Sequence, residues 1–186
     1  MRRTLFTLAF AAALAAGPAV AQQPATPAVA TSEVEGPQSL DALLDALYAV
    51  VSGEAGPRDW DRFRSLFYPG ATLTPSGRRA DGSLSARVLT PDGYIAQNGP
   101  LFERDGFFEK EIGRSVRQFG PMVQVSSAFE ARHAPTDAQP FLRGVNAIQA
   151  YDDGKRWWVI SIAWSAESPE WPVPADLLTP VTASAR

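Results

Sequence analysis

His133, in the stretch "FEARHAP", is the only histidine of the chain, and there is no cysteine. An imidazole changes charge near neutral pH and is the side chain most often used as a general base, so His133 is a candidate catalytic residue. Strand alternation puts Val123, Val125, Phe129, Ala131 and His133 on one face. Yet His133 stands at the strand's end, before Ala134-Pro135, and Glu130, the nearest carboxylate in sequence, faces the other way. The same pattern therefore reads as a residue that closes a strand. A zinc centre needs three or four nitrogen- or sulfur-rich ligands, which this chain does not supply, so no metal is expected. Asp152 and Asp153 sit in "YDDGKRW", where Asp-Gly suits a hairpin turn better than a cation site. Arg143 and Asn146, in "RGVN", are the better polar candidates for ligand contact. Three residues apart on a strand, they lie on opposite faces if the alternation is regular, so at most one faces the pocket, and a bulge at Gly113 or Gly144 would reverse which face of its strand lines the pocket. Glu130 and Arg132 read as a charge pattern on the surface.

The elements that must hold these groups follow from periodicity. In "SLDALLDALYAVV", Leu40, Leu43, Leu44, Leu47 and Val51 form one buried helical stripe with Tyr48 beside it. Ser39 caps that helix and Asp41 suits its first turn. "RDWDRFRSLF" places Trp60, Phe63, Leu66 and Phe67 on one face of a second helix. "YPGATLTP" and "ARVLT" read as two short strands around a polar loop, residues 76 to 83. Thr90-Pro91 starts a third helix, carrying Tyr94 and Ile95 inward and ending near Gly99-Pro100. Beyond it the period becomes two in four runs, 107 to 119, 122 to 134, 141 to 151 and 155 to 165, an antiparallel meander. On the last run, alternation puts Trp158, Ile160, Ile162 and Trp164 together. Each tryptophan covers about 150–250 Å², so Trp157, Trp158 and Trp164 are core or interface anchors before they are ligand stackers. Helices first and long strands last imply an α+β fold.

Arg2-Arg3, an apolar run from Leu5 to Ala16 and the small residues of "PAVAQ" read as a signal peptide over residues 1 to 21. The expectation is an exported chain, periplasmic or secreted. A Gln, Pro, Ala and Thr leader over 22 to 37 is too poor in large apolar groups to fold, one domain spans 38 to 178, and 179 to 186 form a flexible tail. No stretch approaches the roughly 20 apolar residues of a membrane span. The whole chain carries a net charge of −3, and removing Arg2 and Arg3 makes it more acidic, which excludes a nucleic-acid footprint.

This order of elements is that of the nuclear transport factor 2-like superfamily, the cone-shaped fold also called cystatin-like. "PRDWDRFRSLFYPGATL", "TPDGYI", "FFEKEI", "RGVNAIQAYDDGKRWWVISIAW" and "SPEWPVPADLL" resemble the small bacterial proteins described as nuclear transport factor 2 family or SnoaL-like domains, over Leu40 to Leu178. The resemblance implies a curved antiparallel sheet wrapped around three helices, a pocket between them, and a homodimer through the sheet's outer face. It implies no single reaction, because the superfamily holds dehydratases, isomerases, cyclases and binders. Steroid isomerases of this fold keep a carboxylate base just after the first short strand and a tyrosine on the first helix. Aligned on that pattern, "RSLFYPGATLTP" has Pro75 at the base position, Tyr48 falls at the tyrosine, and Asn146 lies near the protonated acid. Scytalone dehydratase-like members use histidines and an acid around a water, and here only His133 is available.

The sequence thus points to an exported domain binding a small apolar or amphipathic molecule without a cofactor. Its expected pocket residues are Tyr48, Trp60, Phe63, Tyr94, Phe129, Arg143, Asn146 and Trp158. Two alternatives stand beside it. One is a cofactor-independent lyase or isomerase using Tyr48, His133 and Asn146 on a small carbonyl compound. The other is a protein-interaction module using the sheet face.

Overall fold

The computed structural model describes residues 36–178. The signal peptide, the C-terminal tail and all of the leader except residues 36 and 37 lie outside the described residues. Helix α1, Leu40–Val51, begins at Ser39, whose side chain accepts the Ala42 N–H at 3.1 Å, and buries Leu43, Leu44, Leu47, Tyr48, Val50 and Val51. Its C-terminal end is tied down by Arg58. That guanidinium donates to the carbonyls of Val51, Gly53, Glu54 and Gly56 at 2.8–2.9 Å, satisfying oxygens a helix end and loop leave open. Helix α2, Trp60–Ser65, is capped by Asp59 and buries Phe63.

Strand β1 spans Phe67–Arg78 and β2 Leu84–Ala86, so the expected polar loop at 76 to 83 narrows to a tight reversal after Arg78. The short second strand expected at "ARVLT" sits earlier, and Leu89 keeps only an isolated bridge to Leu73. Helix α3, Pro91–Arg104, starts at the expected Thr90 cap but runs through Gly99-Pro100. Proline removes one helical N–H bond. Packing outweighs that loss, because the last turn buries Phe102, stacked on Trp60 at 6.0 Å and tilted on Phe107 at 4.9 Å.

Four long strands follow: β3 Phe108–Phe119, β4 Met122–Arg132, β5 Leu142–Asp152 and β6 Trp157–Ala166, and the described chain ends in a 3-10 turn, Ala175–Leu178. The sheet order is β2-β1-β6-β5-β4-β3. Every neighbouring pair is antiparallel except β1 and β6, which run parallel and make the curved sheet mixed. The molecule is α+β, with α1, α2 and α3 packed on the inner face around Phe63, Leu73, Val125, Ile148 and Val159.

Two bulges decide which side chains look inward. In β3 the register slips between Glu111 and Gly113, leaving Ile112 without an opposite number. Glu109 and Glu111, two apart and before the slip, share the inner face by alternation, and after the slip Arg114 joins them, opposite Ser127. In β6 the register slips past Ile160, as Ser161 pairs with Gln149 but Val159 with Ala150. Trp157, Val159, Ile162 and Trp164 consequently face inward. The expected row of Trp158, Ile160, Ile162 and Trp164 is broken there, and Trp158 turns to the outer face. At Gly144, where a second bulge was conceivable, the β4–β5 register is continuous, so Arg143 points outward and Asn146 inward.

Candidate functional site

Between the inner face of the sheet and α3 lies a cavity of about 300 Å³. Its wall is largely aromatic, with Phe63, Tyr94, Phe102, Phe107, Phe129 and Trp164 around it. The exposed members of its lining, Arg104, His133 and the half-exposed Leu101 and Phe141, mark its open end. Phe63 and Tyr94 stack at 5.2 Å, and Tyr94 meets Trp164 edge-on at 6.1 Å. These rings are held by three elements, so the wall is stiff.

Two carboxylates line this space, Asp105, paired with Arg104, and Glu109. Glu109 lines the cavity, and among the described residues its carboxyl has a single side-chain partner, the Asn146 amide, whose Nδ2 lies 3.4 Å from Oε1. Burial pushes the Glu109 carboxyl up to about 7, with the Asn146 N–H pulling the other way. No cation is paired with it among the described residues. Tyr94 also lines the cavity, and its hydroxyl makes no hydrogen bond among the described residues; burial and then Glu109 hold its ionisation above the ordinary value.

Behind Glu109 runs a buried polar chain. Asn146 Nδ2 donates to Tyr48 Oη at 3.1 Å, Tyr48 Oη lies 2.6 Å from Ser127 Oγ, and Ser127 donates to Glu111. With Glu111 ionised, the order of donation is forced. Ser127 spends its one hydrogen on the carboxylate, so Tyr48 must donate to Ser127 and accept from Asn146. The Tyr48 proton accordingly points away from the cavity. Both hydrogens of the Asn146 amide face acceptors, and the reverse orientation would set its oxygen against Glu109. Asn146 Oδ1 is left without a partner among the described residues. Burial raises the Glu111 carboxyl above its ordinary value against the pull of Ser127 and Arg114, and burial then Glu109 raise Tyr48. Arg114 completes the chain, 3.4 Å from Glu111 and 2.9 Å from Asp41 on α1.

The structure gathers Phe63, Tyr94, Phe129, His133 and Asn146 at the cavity and Tyr48 directly behind it. Trp60 stacks on Phe102 outside the lining. Arg143 and Trp158 lie on the outer side of the sheet. Arg143 pairs with Glu167 at 3.1 Å, while Trp158 donates to Asp153 at 2.8 Å beneath the Arg156 guanidinium. His133 follows β4 and is exposed; its Nδ1 donates to the Gly106 carbonyl at 3.0 Å and its ring stacks flat on Phe141 at 4.0 Å. A carbonyl only accepts, so the proton is on Nδ1. Pro75 pairs with Trp164 in the sheet, and the cavity's acid comes from β3 instead of β1. Asp152 and Asp153 close the β5–β6 hairpin, accepting backbone N–H groups around Gly154, whose φ is +83°. Among the described residues no group of three or more His, Cys, Asp or Glu is placed to hold a metal ion, and no helix is long and apolar enough to cross a membrane.

Glu109, Glu111 and Ser127 are polar site residues that sequence reasoning passes over, as it does Phe102 and Phe107 of the wall. The signal for the first two is "FFEKEI", carboxylates two apart on a strand and so on one face. Ser127 carried the parity of Val123, Val125 and Phe129.

No family model and no curated protein matches the sequence. Solved structures do match the architecture. A protein of unknown function with a cystatin-like fold from Nostoc punctiforme aligns with a TM-score of 0.53 at 8% identity, covering 72% of this chain and 96% of that one. The chain has the nuclear transport factor 2-like fold. An NTF2-like protein of unknown function from Pseudomonas putida aligns at 0.52 and 13% identity, covering 74% and 92%, and a protein with a cystatin-like fold from Caulobacter vibrioides at 0.50 and 12%, covering 70% and 88%. At such identities the nuclear transport factor 2-like fold is shared and site residues are not transferred.

Proposed function

We propose that this is an exported domain that binds a compact amphipathic molecule in the cavity between α3 and the sheet, as a homodimer and without a cofactor. The observation that carries the reading is the Glu109 carboxyl, without a cationic partner among the described residues, in a largely aromatic and aliphatic cavity of about 300 Å³ whose other charged lining residues, Arg104 and Asp105, pair with each other. That volume is at the small end of ligand sites, and one polar anchor among apolar walls is how such sites orient a small molecule. The test is native mass spectrometry of the chain purified gently from its own host, then denaturing extraction. A defined adduct that disappears when Phe129→Trp fills the cavity supports the reading; an adduct indifferent to that change counts against it.

One observation favours a second reading. A carboxyl titrating near 7 is poised to accept a proton from carbon next to a carbonyl and return it elsewhere, the isomerase step that Pro75 cannot perform. Binding is preferred because the donors that would stabilise the enolate are engaged. Tyr48 donates to Ser127, and Asn146 to Tyr48 and Glu109, which leaves Tyr94 alone. Deuterium exchange into small cyclic ketones, followed by NMR, separates the two. Exchange abolished by Glu109→Gln would establish catalysis.

A further inference from the structure

We propose that the molecule held in this cavity is a cation, a primary or secondary amine on a compact apolar frame whose ammonium sits on Glu109. The inference rests on the binding reading above and names the ligand class. An ionised carboxylate inside an apolar cavity is stable only when paired, and Glu109 has no cationic partner among the described residues. Its one side-chain partner is a neutral amide at a long 3.4 Å. A ligand ammonium supplies the missing charge.

The rest of the cavity is arranged in the same sense. An ammonium offers only donors. Around the same cavity stand the Glu109 carboxylate and two groups able to accept that have no partner among the described residues, Asn146 Oδ1 and the Tyr94 hydroxyl. A carboxylate ligand would find Glu109 repelling it. Phe63, Phe129 and Trp164 line the same space, and aromatic rings are favourable neighbours for a desolvated cation. At the open end Arg104 is neutralised by Asp105 at 2.6 Å, so no uncompensated arginine guards the entrance.

The groups around Glu109 fix what pH does. Tyr48 faces it from α1, Tyr94 from α3, Asn146 from β5 and Glu111 along β3, with Arg58 beyond Tyr94 and Arg104, Asp105 and His133 at the mouth. Because the free carboxyl titrates at about 7, a bound cation that holds it ionised must expel the proton. Binding at pH 7 then releases about half a proton, and affinity rises about tenfold from pH 6 to pH 8, since an alkylamine stays protonated to about pH 10.

The experiment is isothermal calorimetry and thermal shift on the mature protein with 2-phenylethylamine, 2-phenylethanol and phenylacetate, and the same trio on a cyclohexyl frame. At pH 7.5 each amine is expected to bind at least about tenfold more tightly than its alcohol, with proton release seen as buffer-dependent heat. Glu109→Gln should erase the amine's advantage; if that variant does not fold, the pH dependence of the wild-type protein decides alone. Amines no tighter than alcohols, or affinity that falls as pH rises from 6 to 8, overturn the cation assignment while leaving small-molecule binding intact. Failure of all six probes to bind overturns both.

Discussion

Glu109 gives folding a pH dependence of definite sign. The unfolded carboxyl ionises near 4.5 and the folded one near 7, so between them the unfolded chain has lost a proton that the folded chain keeps. Stability therefore falls as pH rises across that window, by about 3 kcal/mol from this group, and is level above it. Glu111, also raised, adds in the same direction. Chemical denaturation at pH 5 and pH 8 should show the loss, and Glu109→Gln should remove most of it, leaving the variant more stable than wild type at pH 8. Tyr48→Phe tests the polar chain behind the cavity. It strips Asn146 and Ser127 of a shared partner and should cost about 1–2 kcal/mol in urea denaturation. Because the Tyr48 proton is directed at Ser127, ligand preference should be unchanged. A variant that folds but loses ligand would show that Tyr48 reaches the cavity after all.

At the scale of elements, the bulge in β3 does two jobs. It brings Arg114 to the inner face that Glu109 and Glu111 already share, and it leaves Gly113 against the final 3-10 turn. A Cβ at Gly113 would stand 1.8 Å from the Leu177 carbonyl oxygen, so no side chain fits. Gly113→Ala is expected to displace that turn and expose Val173 and Leu177, which now cover Ala128, at a cost of about 2–4 kcal/mol. Hydrogen exchange should find the loss confined to 173–178 and β3, not spread through α1. In α3 the helix outlasts its own stop signal, since Gly99-Pro100 marks an end locally but Phe102 gains more from Trp60 and Phe107 than the proline costs. Local propensity is a weak term beside a buried aromatic.

For the whole molecule, a ligand that binds only the folded state stabilises it by mass action. At a free concentration a hundred times Kd the gain is about 2.7 kcal/mol, which a thermal melt resolves as several degrees. The proposed homodimer is tested by light scattering on the mature chain. The outer face around the exposed Ala147 and Ala163 carries small side chains, so Ala147→Glu should yield monomers if that face is the interface. The sequence by itself determined the order and type of the elements, through the helical stripe of α1, the capping residues Ser39 and Thr90, the Asp-Gly hairpin and the alternation of the last four strands. These signals are local. It also put Asn146 and Arg143 on opposite faces; the β4–β5 register then turns Asn146 inward and Arg143, expected in the pocket, outward. What tertiary structure alone decided is which residues of β3 and β6 meet the cavity. A strand has period two, so one unpaired residue at Ile112 or Ile160 exchanges the faces of everything beyond it, and only the partner strands' register reveals that it has happened. That is why Trp158 left the pocket and Arg114 entered the inner face, while the cavity's carboxylate, absent at Pro75, comes from β3 ahead of the bulge, where Glu109 pairs opposite Ala131.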